Sequence, residues 1–285
     1  MKERVISKQE YDDFRDYLVK ETGIVLGENK HYLVSSRLNR LMEEHNLDSY
    51  AQLLKLVSTG ANKSVCTQIV DAMTTNETMW FRDTYPYEIL KSELLPTLNK
   101  IKDRPVKIWS AACSSGQEPY SISMIIHEFM ASNPGAFSRG IQIVATDIST
   151  NMLKYCQRAR YDDSAMRRGM SEDRKKQFFT QFGDEWEVNR EIRSRITFKS
   201  LNLQQSYSAL GKFDMIFCRN VLIYFDSETK SDILNRMSNQ IEDDGFLFLG
   251  GAETVIGITD SFASIPGQRG LYAKHDSKHL KTEAA

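Results

Sequence analysis

No stretch of this sequence is apolar for the roughly 20 residues that a bilayer-spanning helix needs. Residues 1–14, MKERVISKQEYDDF, turn acidic and amphipathic where a secretory leader would need an apolar core. Cysteine is sparse: Cys66, Cys113, Cys156 and Cys218 stand apart with no C-x-x-C pair, a pattern of neither a zinc site nor a disulfide framework. The expectation is a soluble cytoplasmic protein with no metal and no direct membrane insertion. Neither sign of charge dominates. Lys and Arg total 37 against 38 Asp and Glu, a formal net charge of −1, so the positive field of a nucleic-acid coat is missing and no nucleic-acid partner is expected. The fingerprint G-x-G-x-x-G is absent too, which counts against a dinucleotide.

What is present divides in two, as 285 residues suggest. The first part reads as helices only. Ser7 and Glu10 stand in capping-box spacing, Tyr11, Phe14 and Leu18 form one apolar stripe, and Gly23 ends it. A second helix runs from about Lys30 to His45, with Val34, Leu38 and Leu41 inward and Arg37 and Arg40 beside that stripe. A third, near Ser49–Val57, stops at Thr59-Gly60, and a fourth starts at Asn62. A polar, aromatic segment follows, Thr74-Thr75-Asn76-Glu77-Thr78-Met79-Trp80-Phe81-Arg82, unlike the Gly/Ser/Pro composition of a linker. A helix from about Tyr85 to Asn99 leads to Pro105.

Beyond Pro105 strands alternate with helices, which argues for an open α/β sheet with parallel pairing. Strands are expected at Val106–Ala111, Ile141–Ala145, Arg195–Lys199, Phe213–Cys218, Phe246–Leu249 and Leu271–Lys274, with Phe262–Ile265 as a further piece. Helices are expected at Pro119–Met130, Ser149–Ala159 and Ser227–Ile241. Asp243-Asp244-Gly245 reads as a tight turn. The stretch Tyr161–Arg193 breaks the alternation and reads as an insertion with a charged helix (Ser171–Phe182) and a small hairpin. Residues 276–285 read as a frayed tail.

In such a sheet, ligands bind outside the C-terminal ends of the strands. Four polar groups of residues fall there. In Trp109-Ser110-Ala111-Ala112-Cys113-Ser114-Ser115-Gly116-Gln117-Glu118 the glycine lets a ligand approach the backbone. Glu118 either accepts from a ligand ammonium or simply places charge at a helix N-terminus. Asp147 ends the next strand, where an acid either grips two ribose hydroxyls or caps the following helix. After the third strand, Asn202 can read a nucleobase edge with Leu203 on its face, or satisfy the turn. Phe213 to Cys218 runs into Arg219, Asn220 and Tyr224. Turn and acid together suggest a nucleoside ligand without a pyrophosphate.

The runs T-T-N-E-T-M-W-F-R, W-S-A-A-C-S-S-G-Q-E-P-Y-S, A-T-D-I-S, F-C-R-N-V-L-I-Y-F and G-F-L-F-L-G, in this order, resemble the chemotaxis receptor methyltransferases (CheR). The resemblance spans nearly the whole chain. It implies a Rossmann-like class I methyltransferase sheet, α/β, with an N-terminal all-helical domain (1–88, linker 74–84), a methyltransferase domain (89–275) carrying a small β subdomain (161–193), and a tail (276–285). It implies S-adenosylmethionine as cofactor and, as substrates, glutamates on the cytoplasmic helices of chemoreceptors. Asn76, Thr78, Arg82, Glu118, Asp147, Asn202, Leu203, Cys218 and Arg219 are then the cofactor-lining positions, with Arg82 and Tyr224 beside the transferring methyl. Lys30, Arg37 and Arg40 become candidates for docking an acidic receptor helix. In some members the β subdomain holds a receptor C-terminal pentapeptide. The short loop Phe182-Gly183-Asp184-Glu185-Trp186 argues against that here, and a monomer is implied. A hydrolase is one rival, because Ala112-Cys113-Ser114-Ser115-Gly116 approaches a nucleophile elbow; only His275 and His279 could then complete a triad. A non-catalytic adenosylmethionine sensor is a second, and methylation of another protein carboxylate a third.

Overall fold

A computed structural model describes residues 5–58, 62–101 and 103–280. The first helices pack apolar stripe to apolar stripe. α1 (Lys8–Thr22) opens on the expected capping box, Ser7 Oγ accepting from Glu10 N–H and Glu10 from Ser7 N–H, and closes on left-handed Gly23. α2 (His31–Glu44), α3 (Tyr50–Ser58) and α4 (Lys63–Met73) complete the bundle. Its core includes Phe14, Leu18, Val34, Leu38, Leu53 and Ile69. The expected stop at Thr59-Gly60 lies outside the described residues.

The helix after the 74–84 segment is continuous but not uniform: α5 (Tyr85–Ile89), a π-helical turn (Leu90–Leu94) and α6 (Leu95–Leu98). Tyr87, Leu90, Leu94 and Leu98 pack with Val106 and Ile108 of the larger core. The expected boundary at residue 88 therefore cuts a helix whose apolar face belongs wholly to the second unit.

That unit runs β1 (Val106–Ala111), α7 (Gln117–Ser132), β2 (Ile141–Asp147), α8 (Thr150–Arg158), then the insertion, then β6 (Ile196–Ser200), β7 (Phe213–Cys218), α12 (Ser227–Ser238), β8 (Ile241–Leu249), β9 (Phe262–Ser264) and β10 (Leu271–Lys274). The insertion contains β3 (Arg160–Asp162), α9 (Asp163–Arg167), α10 (Glu172–Phe178), β4 (Phe179–Phe182), β5 (Glu185–Val188) and α11 (Arg190–Arg193). The main sheet has the order β6-β2-β1-β7-β8-β10-β9, and the insertion a separate sheet β3-β5-β4. Pairing is parallel from β6 through β8, and β10 is antiparallel to both β8 and β9. This is the expected Rossmann-like sheet. Strand order reverses at β1, so the crevice opens at the C-terminal ends of β1, β2 and β7.

Three local expectations fail. The charged helix of the insertion ends at Phe178, because Phe179 is extended (φ −129°, ψ 152°) and starts a strand. Asp243-Asp244-Gly245 is no turn between elements: it lies within β8 as an irregularity, with Phe213 opposite Ile241 but Met215 already opposite Phe246. The tail does not fray over 276–280. Ser277 is buried and the His279 ring lies 4.6 Å from that of Phe246; residues 281–285 lie outside the described residues.

Candidate functional site

At the crevice is a cavity of about 270 Å³. Its floor is the turn after β1, where Ala112 and Ser114 adopt left-handed backbone (φ 57° and 50°) and Gly116 has φ 94°. A Cβ on Gly116 would lie 2.9 Å from Cys156 Sγ and 3.0 Å from Tyr161 Oη, so only glycine lets the turn hug α8. Tyr161 Oη fixes it further by donating to Ser115 O (2.7 Å).

Two carboxylates form the polar wall. Asp147 accepts from Ser114 N–H (2.7 Å) and Ser149 N–H (2.8 Å), both main-chain donors. The cap of α8 is Ser149, not Asp147. Glu118 accepts from Ser110 Oγ (2.8 Å) and pairs with Arg219 Nη1 (3.2 Å). Burial raises the Asp147 carboxyl above its ordinary value against the pull of the Ser149 and Ser114 N–H groups. Burial does the same to Glu118 against Arg219 and Ser110. Carboxylates held in such a wall can be compensated, when ionised, by a ligand carrying positive charge and hydroxyl donors.

The far side of the cavity comes from the other unit. Thr22, Ile24 to Gly27, Lys30, Leu33 and Arg37 line it, then Met73 to Thr78 and Arg82. The segment 74–84 is strapped down along its length. Arg37 donates to the carbonyls of Met73 (2.8 Å) and Thr74 (3.2 Å) and to Thr75 Oγ1 (3.2 Å). Ser114 Oγ donates to Asn76 O (2.9 Å), Trp80 N–H to Arg168 O (3.0 Å), and Phe81 N–H to Ser121 Oγ (3.1 Å). Arg37 is thus occupied with main chain. Arg40, its side chain 88% exposed and paired with Glu44, stands on the outer face as a docking role requires, and Lys30 is exposed at the start of the same helix.

The remaining candidates divide. Asn76, Thr78, Arg82, Glu118, Asp147, Asn202, Leu203, Arg219 and Tyr224 all line the cavity. Cys218 does not. Fully buried on β7, it packs with Trp109 and Ala111, and burial pushes its thiol well up. The Asn202 amide is spent on the domain junction: Nδ2 donates to Glu21 O (2.8 Å) and Oδ1 accepts from Gln204 N–H (2.9 Å). Leu203 is buried beside it. No histidine is among the residues lining the cavity, and His279 sits against Phe246, so a nucleophile elbow at Ser114 would have no base.

Sequence reasoning named Asn220 but missed Glu253. Glu253 accepts from the N–H groups of Asn220 (2.7 Å), Val221 (2.9 Å), Leu222 (2.7 Å) and Gly250 (2.7 Å), which ties the loop carrying Tyr224 to the end of β8. Its signal was an acid just after Gly250-Gly251. Asn220, left-handed at φ 59°, points a buried Oδ1 with no hydrogen-bond partner among the described residues. Asn220 is among the residues lining the cavity. Two largely buried acids on one cavity at the strand ends fit a charged nucleoside.

Residues 76–271 match the family model described as "CheR methyltransferase, SAM binding domain", and residues 9–74 that described as "CheR methyltransferase, all-alpha domain". The chain is 48% identical over 266 residues to chemotaxis protein methyltransferase Cher2 of Pseudomonas putida, covering 92% of this chain and 96% of that one. It is 47% identical over 270 residues to chemotaxis protein methyltransferase 1 of Vibrio cholerae, covering 94% and 98%. Among the described residues no helix is long and apolar enough to cross a membrane.

Proposed function

The chain belongs to the CheR methyltransferase family, with S-adenosylmethionine as its cofactor, and from that premise we propose that it methylates glutamate side chains on the cytoplasmic helices of chemoreceptors, forming methyl esters. The observation that carries this reading is one cavity lined by the acids Glu118 and Asp147 together with Arg82 and Tyr224.

S-adenosylmethionine supplies an electrophilic methyl on a sulfonium. In our reading Glu118 faces its ammonium, Asp147 its ribose, and Leu203 its base. Asn76 and Thr78 cover it. Arg219 and Asn202 support the site from behind, because Arg219 Nη1 and Nη2 and the Asn202 amide are engaged with protein. Cys218 contributes packing beneath β7 and no direct contact.

A glutamate carboxylate, with an ordinary pKa of about 4.3, is already an anion at neutral pH. It needs no general base, which suits a cavity without histidine. The protein's task is to align the carboxylate with the methyl and replace its water with directed donors, and orientation can supply roughly 7–11 kcal/mol in ideal cases. Arg82 and Tyr224 take that role. Arg82 holds the carboxylate loosely, since a tight ion pair would stabilise the ground state more than the transition state.

Receptor docking falls to Lys30 and Arg40, with Arg37 acting instead through the strap it holds. We further propose a cytoplasmic monomer whose β4–β5 hairpin, turning at Gly183-Asp184, does not require a receptor pentapeptide. The test is tandem mass spectrometry of a receptor cytoplasmic fragment after incubation with protein and S-adenosylmethionine. Methyl groups on glutamate are expected; methyl on lysine, or none, would contradict the reading.

A further inference from the structure

Arg82 owes its place to its backbone. Among the described residues its guanidinium makes one hydrogen bond, Nη1 to Glu77 O (3.1 Å). The main chain around it is unusually contorted: Phe81, Asp83 and Thr84 all have positive φ (49°, 68° and 54°). Thr84, with ψ −54°, is the centre of a γ-turn closed by Tyr85 N–H to Asp83 O (2.5 Å). That conformation is rare and strained, and a β-branched residue in it is an outlier. Such a turn persists only where its surroundings over-determine it.

Main-chain bonds hold Thr84 itself (Thr84 N–H to Phe81 O, 2.9 Å, and Tyr87 N–H to Thr84 O, 3.0 Å), and the side chain that grips the residues leading into it is Arg219. Its side chain is 1% exposed, and Nη2 donates both to Arg82 O (2.9 Å) and to Asp83 Oδ2 (2.7 Å), while Nη1 meets Glu118. One buried nitrogen thus grips two successive residues of the strained turn. Asp83 supplies the charge that keeps the guanidinium there: a buried arginine facing Glu118 alone would have a second electrostatic choice, swinging wholly onto that carboxylate and releasing Arg82 O.

We infer that Asp83 is a positioning residue for the methyl transfer: through Arg219 it latches the strained turn that aims Arg82 across the cavity. This rests on the reading of Arg82 given above. Asp83 does not touch the substrate or S-adenosylmethionine.

The test is a double-mutant cycle in the full chain with Arg82→Ala, Asp83→Ala and both together, plus Asp83→Asn. Turnover and KM for a receptor fragment, calorimetric binding of S-adenosylhomocysteine, and Tm are read for each. A latch predicts that Asp83→Ala lowers kcat by about tenfold or more with receptor KM and product affinity within about twofold. Asp83→Asn, which keeps an acceptor oxygen, recovers part of the loss and serves if Asp83→Ala does not fold. The double variant is no slower than Arg82→Ala alone, because the latch then has nothing to aim. Additive losses, or a loss confined to Tm and product binding, would overturn the latch while leaving the role of Arg82 standing. An unchanged kcat in Asp83→Ala and Asp83→Asn would overturn it as well. Full activity of Arg82→Ala is the separate outcome that removes Arg82 from the reaction, and the latch with it.

Discussion

Asp71, on the last helix of the bundle, accepts a 2.7 Å hydrogen bond from the hydroxyl of Ser149, two residues past Asp147. Thr150 Oγ1 adds a second contact at 3.1 Å. The bundle therefore braces the acidic wall of the cavity rather than standing apart from it. Val25 N–H to Tyr224 O (2.9 Å) makes a matching tie on the opposite side.

Asp71→Ala removes charge-assisted bonds from partly buried partners, each worth about 2 kcal/mol. Stability should fall by roughly 2–4 kcal/mol for the pair, and product affinity by about threefold as Asp147 loses its support. Thermal denaturation with and without S-adenosylhomocysteine checks both.

Arg82→Ala should lower turnover by about a hundredfold while leaving S-adenosylhomocysteine affinity nearly intact. Equal losses in both would make Arg82 a cofactor-binding residue instead. Arg82→Lys should restore little, since an ammonium lacks the planar fork.

Cofactor binding and apo stability should respond to pH in opposite directions. Glu118 and Asp147 have carboxyls raised by burial. Between the unfolded and the raised folded pKa the native chain holds the extra protons, so apo stability falls as pH rises through that window. A cationic ligand needs the ionised acids, so its affinity rises over the same window. Calorimetry against pH reads the second trend, and Glu118→Gln should flatten it.

Lys30→Glu with Arg40→Glu should raise the receptor KM by about tenfold at low salt and by less at high salt, with S-adenosylhomocysteine binding unchanged. An unaltered KM would remove α2 from the docking surface.

Gly169→Ala should disturb the strap from outside. Gly169 has φ 95°, and a Cβ there would lie 2.1 Å from Trp80 O. A cost of about 2 kcal/mol or more is expected, visible as a lower Tm together with reduced turnover.

Much of this architecture was legible because it rests on local rules. The Ser7–Glu10 capping box, the period change after Pro105 and polar residues following apolar strands all hold in the fold. What was not legible depends on partners distant in sequence. Arg37 looks like a solvent-facing cation on its helix, and only the folded strap shows its hydrogen bonds to Met73 and Thr74. Asn202 has the right position for a base contact, yet Glu21, at the end of α1, claims its amide. Cys218 follows the strand's alternation into the core. Glu253 serves N–H groups about thirty residues earlier, which no local motif announces. Asp243-Asp244-Gly245 has turn chemistry, but β7 and β10 hold both sides of it within one strand.

The central claim is the chemical identity of the product. Methyl-labelled S-adenosylmethionine, this protein and a receptor cytoplasmic fragment should be incubated together, and the labelled fragment then treated with mild base. A glutamyl methyl ester predicts release of the label as volatile methanol. Label that stays on the fragment would place the methyl on nitrogen or carbon and contradict carboxylate transfer.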